Sequence, residues 1–428
     1  MSQPVNYYEQ TSAQLQALLA SLRQDYQAAQ AKGLKLDMSR GKPEAAQLTL
    51  SDKMLTNLDS AIADSGIDCR NYAPLDGLPE AKKLMGDLIG VAPEHVFVGG
   101  NASLSLMHDV LTFGCLYGLS GQQPWSQQKN IKFLCPSPGY DRHFAMTEHM
   151  GFELITVPMT AKGPDMDVVE ELIKDPTVKG IWCVPKYSNP QGITYSDDVV
   201  RRFAALTPAA PDFRILWDNA YAVHDLDVQS PDTLLNLADE LAKTGREDMA
   251  FTFTSTSKIT FAGGGISAVA TSKNNFAWLM KHKFYQTIGY DKVNQLRHCR
   301  LFPDMATVQA HMAGHAAIVK PKFDVVLEAL APLAQEGIAR WDTPKGGYFV
   351  SLDVPQGCAK RTVTLCKEAG VTLTGAGATF PYGKDPADSN IRVAPTFPPM
   401  EELKQAVVLL CLCVRIAALE SILADRNA

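Results

Sequence analysis

The stretch "STSKITFAGGG", Ser255 to Gly265, sets one lysine after three hydroxyl residues and ahead of three glycines. Lys258 serves as a nucleophile only where burial or a neighbouring charge lowers its pKa. "RILWDNAY" ends an apolar run on Asp218, with Tyr221 three residues on. A carboxylate in that place is costly unless a cation or hydrogen-bond donor meets it. "KYSNPQG" puts Asn189 and Pro190 in a tight turn, and "GNAS" supplies Asn101, Ala102 and Ser103 at the start of a helical stretch. Backbone N–H groups at such a start receive anions. Amine, acid, phenol, amide and anion cradle together suit pyridoxal 5′-phosphate (PLP). Its aldehyde takes a lysine, its ring nitrogen an acid and its phosphate a helix N-terminus.

Alone, each residue has an ordinary reading. Lys258 reads as a solvated lysine, Asp218 or Asn219 as a helix cap, "SNPQG" as a turn, and Ser103, Ser255 and Ser257 as local backbone caps. Their order along the chain, at the ends of apolar runs, argues for a site.

Seven such runs recur from about residue 90: "HVFVGG", "IKFLC", "FELITVP", "GIWCVP", "RILWDN", "MAFTFTS" and "ISAVATS". Each has the length of a buried strand, and helical or loop segments separate them. That alternation predicts an α/β fold with a mostly parallel, seven-stranded sheet covered by helices. Ligands bind at the carboxyl ends of such strands. Ahead of the sheet, Leu15, Leu18, Leu19, Leu22 and Tyr26 form one stripe of a helix over 12–31. Beyond residue 310, helical stretches over 311–335 and 359–369 flank "GGYFVSLDV" and "NIRVAP", and a long helix closes the chain. The division expected is 1–45, an N-terminal helix and segment packing with the small domain; 46–310, a large domain; and 311–428, a small α+β domain.

The ordered series "RGKP", "NYAPLDG", "GNAS", "PSPGYDRH", "YSNPQG", "DNAY", "STSK" and "NIRVAP" resembles the PLP-dependent aminotransferases of fold type I, in the bacterial branch like aspartate aminotransferase. The resemblance covers about residues 37–397. It implies that Lys258 binds the cofactor aldehyde and moves the substrate proton, and that Asp218 holds the ring nitrogen. Asn189 and Tyr221 would bond the ring oxygen, and Tyr140 would stack on the ring. The phosphate would meet Asn101, Ala102, Ser103, Ser255 and Ser257, with Tyr72 reaching in from a second copy, so a homodimer is implied. Arg392 would grip the substrate α-carboxylate, with Gly41 and Arg40 in a segment that closes over it. The activity implied is ping-pong transfer of an amino group, with aspartate and 2-oxoglutarate the favoured pair. Aromatic amino acids or kynurenine as substrates, a PLP lyase, and an effector-sensing regulator domain are the alternatives.

The resemblance fails at one place. Relatives in the wider superfamily carry a phosphate-binding arginine eight residues after the lysine, where this chain has Ile266. Another cation is expected to substitute, with Arg40, Lys186 and Arg297 as candidates; Arg40 and Lys42 are also candidates for a side-chain carboxylate. The 428 residues carry a net charge of −6, which speaks against nucleic acid and anionic membranes. Nine cysteines without a C-x-x-C pair read as reduced core residues of a cytoplasmic protein. The N-terminal "MSQPVNYYEQ" lacks the apolar region of a signal peptide, and the apolar run over 407–414 is too short to span a bilayer. His311 and His315 stand four apart without the glutamate of a zinc motif, so two helical histidines are expected and no metal.

Overall fold

Each of the seven apolar runs becomes a strand; six are buried along almost their whole length, whereas "FELITVP" alternates buried and exposed residues. The structure is a computed structural model that describes residues 5–427. The first strand, β1 (Leu36–Asp37), stands apart from the main sheet. The main sheet contains β2 (Val96–Val98), β3 (Lys132–Ser137), β4 (Glu153–Thr160), β5 (Gly163–Pro164), β6 (Val178–Cys183), β7 (Arg214–Asp218), β8 (Ala250–Ser255) and β9 (Ser267–Thr271). Their order is β2-β9-β8-β7-β6-β3-β4-β5, so the sheet has eight strands rather than the expected seven. The extra strand is a two-residue Gly-Pro edge paired antiparallel to β4. It is too short to show as an apolar run, and proline is tolerated at a sheet edge.

Strands β4, β3, β6, β7 and β8 run parallel, and β9 lies antiparallel between β8 and β2. Two reversals make β2 run the same way as β8. The ends of β2, β3, β6, β7 and β8 therefore share one edge of the sheet, and the candidate residues follow those ends.

Three further strands, β10 (Val350–Asp353), β11 (Val371–Thr372) and β12 (Asn390–Val393), form two small sheets. β10 pairs antiparallel with β12, setting Ser351 opposite Arg392. β1 pairs parallel with β11, setting Leu36 opposite Val371. The N-terminal helix Ser12–Gln30 begins with a capping box between Thr11 and Gln14. Its Leu15 and Leu19 enter one apolar cluster with Val319, Leu330, Leu352, Ile391 and Leu410.

Helix Met305–Gln335 starts six residues earlier than expected, because the Asp304 carboxylate accepts from Thr307 N (2.8 Å) and caps it there. Its Val308 and Met312 pack with Leu78, Val98 and Ile266, whereas Val319 to Leu333 pack with the C-terminal cluster. The apolar run over 407–414 is part of a 28-residue helix, Met400–Asn427, long and apolar enough to cross a membrane by length and composition. Leu403, Leu410, Val414 and Leu419 of that helix are buried in the same C-terminal cluster. Leu410→Ala should lower stability by about 2–5 kcal/mol, read from the urea midpoint. A loss under roughly 0.5 kcal/mol would place that side chain outside the core.

Candidate active site

The buried end of β7 carries Asp218, only 4% exposed. Its Oδ2 accepts a hydrogen bond from His143 Nε2 (3.0 Å). Since a carboxylate only accepts, the proton sits on that nitrogen. His143 lies in helix Asp141–His149 and stacks on Trp182 of β6, with ring centroids 4.2 Å apart. The other carboxylate oxygen, Oδ1, has no partner among the described residues. A buried acceptor left open in this way fits a donor supplied by a ligand. Asp218 is thus a strand-end carboxylate and not a helix cap.

Lys258 follows β8 in a tight turn, where Ile259 N and Thr260 N both donate to Thr256 O (2.9 and 2.8 Å). Its Nζ lies 5.1 Å from the Tyr221 ring centroid and 5.8 Å from that of Tyr348. It makes no hydrogen bond or ion pair with a described residue. Burial pushes the ammonium pKa below the ordinary 10.5, Asp218 opposes that shift and Arg392 adds to it. Tyr140 packs edge-on to His143 at 4.8 Å, and burial, with Asp218 and Asp141 nearby, raises its phenol to about 12. Tyr221 is raised well above 10, first by burial, so both phenols stay protonated donors at neutral pH. His224 is buried with neither ring nitrogen partnered, and burial beside Lys258 holds it neutral.

The start of the helix that carries Ser103 lies beside the Lys258 turn. Helix Ser103–Tyr117 starts at Ala102 with no side-chain cap, which leaves its first N–H groups available. Ser257 Oγ donates to Asn101 O (2.5 Å), which ties the lysine turn to that helix start. Ser255 is buried at the end of β8. Of the three glycines, Gly265 is the constrained one: a Cβ there would lie 3.0 Å from Thr256 Oγ1 and 3.1 Å from Ser257 N. Ile266 next to it is buried in the cluster with Val98 and Ala268, an apolar setting in which an arginine would have no counter-charge.

Arg392 brings a second charge to the site. One terminal nitrogen donates to Asp141 Oδ1 (2.7 Å) and Asn189 Oδ1 (3.3 Å), the other to Thr374 Oγ1 (3.2 Å). Its guanidinium carbon stands 4.9 Å over the Phe349 ring, and its buried Nε has no partner. Arg392 is therefore an interior cation, not a surface ion-pair partner. Phe349 in turn leaves no room at Gly41, where a Cβ would approach its Cζ to 2.2 Å. The need for glycine at 41 is this close approach.

These features match a known kind of chain. The family model described as aspartate aminotransferase matches residues 10–426. The chain belongs to that family. A Corynebacterium glutamicum protein named aspartate aminotransferase is 47% identical over 404 residues, with 93% of each chain covered. A Mycolicibacterium smegmatis protein named as an aminotransferase is 49% identical over 413 residues, covering 94% of this chain and 96% of its own. The solved structure of a C. glutamicum aspartate transaminase superposes with a TM-score of 0.95 at 44% identity, covering 98% of this chain and 99% of that one. The protein is accordingly an aminotransferase of the α/β architecture expected.

The structure of this aminotransferase brings Lys258, Asp218, Tyr221, Tyr140, Asn189 and Arg392 close together, and Ser257 ties the lysine turn to Asn101 at the helix start. It does not bring in Tyr72, which is 80% exposed. Arg40 is exposed and makes no ion pair with a described residue, and Lys42 Nζ lies 3.8 Å over the Phe397 ring. Lys186 is committed to Asp225 Oδ1 and Ala222 O (both 2.9 Å). Sequence reasoning missed His143, Asp141, Tyr348, Phe349, Thr374 and His224. His143 carried a signal, since it follows Tyr140 by three residues and so shares a helix face with it; the others gave none. His311 and His315 both donate through Nε2 to Ile259 O (2.8 and 2.9 Å), beside the lysine. His143→Leu removes the one side-chain donor on Asp218 among the described residues. It should cost about 1–3 kcal/mol in urea unfolding; no change would mean that solvent already meets that carboxylate.

Proposed function

We propose that this aminotransferase uses PLP to move an amino group from aspartate to 2-oxoglutarate, by ping-pong turnover. The observation that carries the cofactor reading is the pairing of an unpartnered Lys258 amine with the open Oδ1 of Asp218, whose Oδ2 is held by His143. PLP, when bound, supplies an aldehyde that takes the amino group and a ring that accepts negative charge. Asp218 Oδ1 would hold the ring nitrogen, with His143 fixing the carboxylate. Asn189 and Tyr221 would bond the ring oxygen, and Tyr140 would cover the ring face. The N–H groups at Ala102 and Ser103, with Asn101, Ser255 and Ser257, would receive the phosphate.

Arg392 would bind the substrate α-carboxylate through its open Nε and a terminal nitrogen, with Asn189 beside it. Lys258 Nζ would then take the substrate Cα proton and return it at the cofactor carbon, because its lowered pKa keeps a neutral amine accessible. Aspartate as donor is supported by the C. glutamicum relative of that name. The segment with Gly41 and Arg40 is inferred to close over substrate, and Arg40 or Lys42 to meet a side-chain carboxylate.

A second copy of the chain is inferred to complete the site. Tyr72, Phe284, Tyr285 and Ile288 are 80, 70, 81 and 66% exposed. Tyr72 and Ile288 line one surface cavity of about 560 Å³ with Arg70 and Lys292. Exposed apolar area of this kind marks an interaction surface. The nine cysteines, all free, fit a reducing compartment, and we infer a cytoplasmic enzyme. We also infer the division 1–45, 46–310 and 311–428, supported by the split of the Met305–Gln335 helix between two apolar clusters.

Four experiments test these readings. Aspartate and glutamate should each discharge the cofactor's visible band in a half-reaction; aromatic amino acids alone doing so would favour the aromatic reading, and no response to any amino acid would overturn the function. Lys258→Ala should lose that band, and wild-type capture of PLP should titrate with a midpoint below 10.5, rising with pH. Ile288→Asp should shift sedimentation from dimer to monomer and lower activity; a variant that remains dimeric would place the interface elsewhere.

A further inference from the structure

Beneath Lys258 lies a buried polar chain that the proposed chemistry does not use. Gln47 sits in the short helix Ala45–Thr49 and is fully buried. Its Oε1 accepts from Glu44 N (3.2 Å), so its Nε2 must face the other way. There Nε2 meets His315 Nδ1 (3.1 Å) and Tyr348 Oη (3.0 Å). An amide nitrogen only donates, so His315 Nδ1 is the unprotonated nitrogen and its proton sits on Nε2. That Nε2–H donates to Ile259 O (2.9 Å), the carbonyl next to the lysine. Tyr348 Oη, already accepting from Gln47, turns its own proton to Lys258 O (3.4 Å). One amide orientation thus sets a tautomer and a hydroxyl direction, and both act on the turn that carries Lys258.

The groups facing this chain are His311, which shares the Ile259 carbonyl from the same helix as His315, with Lys258 and His224 at the strand ends. The helix of Gln47 is anchored on its other side. Glu44 pairs with buried Lys322 (2.6 Å), which also donates to Thr396 O and Pro398 O.

We propose that Gln47 is a positioning residue for Lys258, acting through Tyr348 and His315 on the carbonyls of Lys258 and Ile259. The proposal rests on the reading of Lys258 as the reactive amine. A replacement that only accepts should reverse the chain. In Gln47→Glu a carboxylate oxygen faces His315 Nδ1 and Tyr348 Oη, so the histidine must carry its proton on Nδ1 and the tyrosine must turn its proton away from Lys258.

The test has two arms. In cofactor-free protein, long-range ¹H–¹⁵N NMR should show His315 with Nδ1 unprotonated, and Gln47→Glu should move a proton onto that nitrogen. In PLP-loaded protein, Gln47→Glu and Tyr348→Phe should each shift the pH at which the cofactor's visible band titrates. Each should also lower kcat about tenfold or more, with KM changed less than about threefold. The double variant should shift by less than the sum of the two single shifts, because Gln47 acts in part through the Tyr348 hydroxyl. An unchanged His315 tautomer in Gln47→Glu, or additive shifts in the double variant, would overturn the proposal. If Lys258→Ala kept the cofactor band, the lysine reading would fail while the NMR result stood by itself.

Discussion

The hydrogen bond from His143 to Asp218 is the interaction on which the site depends. It lets a carboxylate survive at the buried end of β7, where burial alone would disfavour its charge. It also fixes which oxygen is used up and which stays open. Trp182 stacks on the imidazole and holds its plane, so the direction of the open oxygen is set by strand β6 and helix Asp141–His149 together. The lysine in the turn after the neighbouring strand then lies in the field of a carboxylate of fixed aim.

The second constraint is the meeting of three distant segments at Arg392. Asp141 opens the helix after β3, Asn189 comes from the loop after β6, and Thr374 from beyond β11. Phe349 lies under the guanidinium and against Gly41. The N-terminal segment thus touches the arginine through one aromatic ring and touches the lysine through Gln47. Just ahead of these contacts, Leu36 and Met38 pack in the apolar cluster of the C-terminal elements. Arg392 stands against Asp141, and burial lowers the Lys258 pKa while Asp218 opposes that shift.

Much of this was legible from the chain alone. The seven apolar runs became seven strands, and the fully buried ones, such as β6, β7 and β8, are continuous apolar segments because helices or loops cover both faces. Lys258, Asp218, Asn189 and Ser257 each follow such a run, so their arrival at one edge follows from strand direction. The close approach of Gly41 to Phe349 was not legible, since the two lie more than 300 residues apart in the chain. Ile266 showed that an expected arginine was missing. Lys186, a candidate replacement, proved to be occupied by Asp225.

The sequence by itself determined the sheet, the order of its strands' polar ends and the residue types offered there, because periodicity and strand termini are local properties. Only the tertiary structure decided who meets whom. Asp218 and His143 are 75 residues apart, Arg392 and Asp141 251, and Gln47 and His315 268. Hydrogen-bond direction, tautomer and the open oxygen of Asp218 arise from those contacts. Residue spacing along a chain carries no record of them, since each depends on two surfaces being brought within about 3 Å by packing elsewhere.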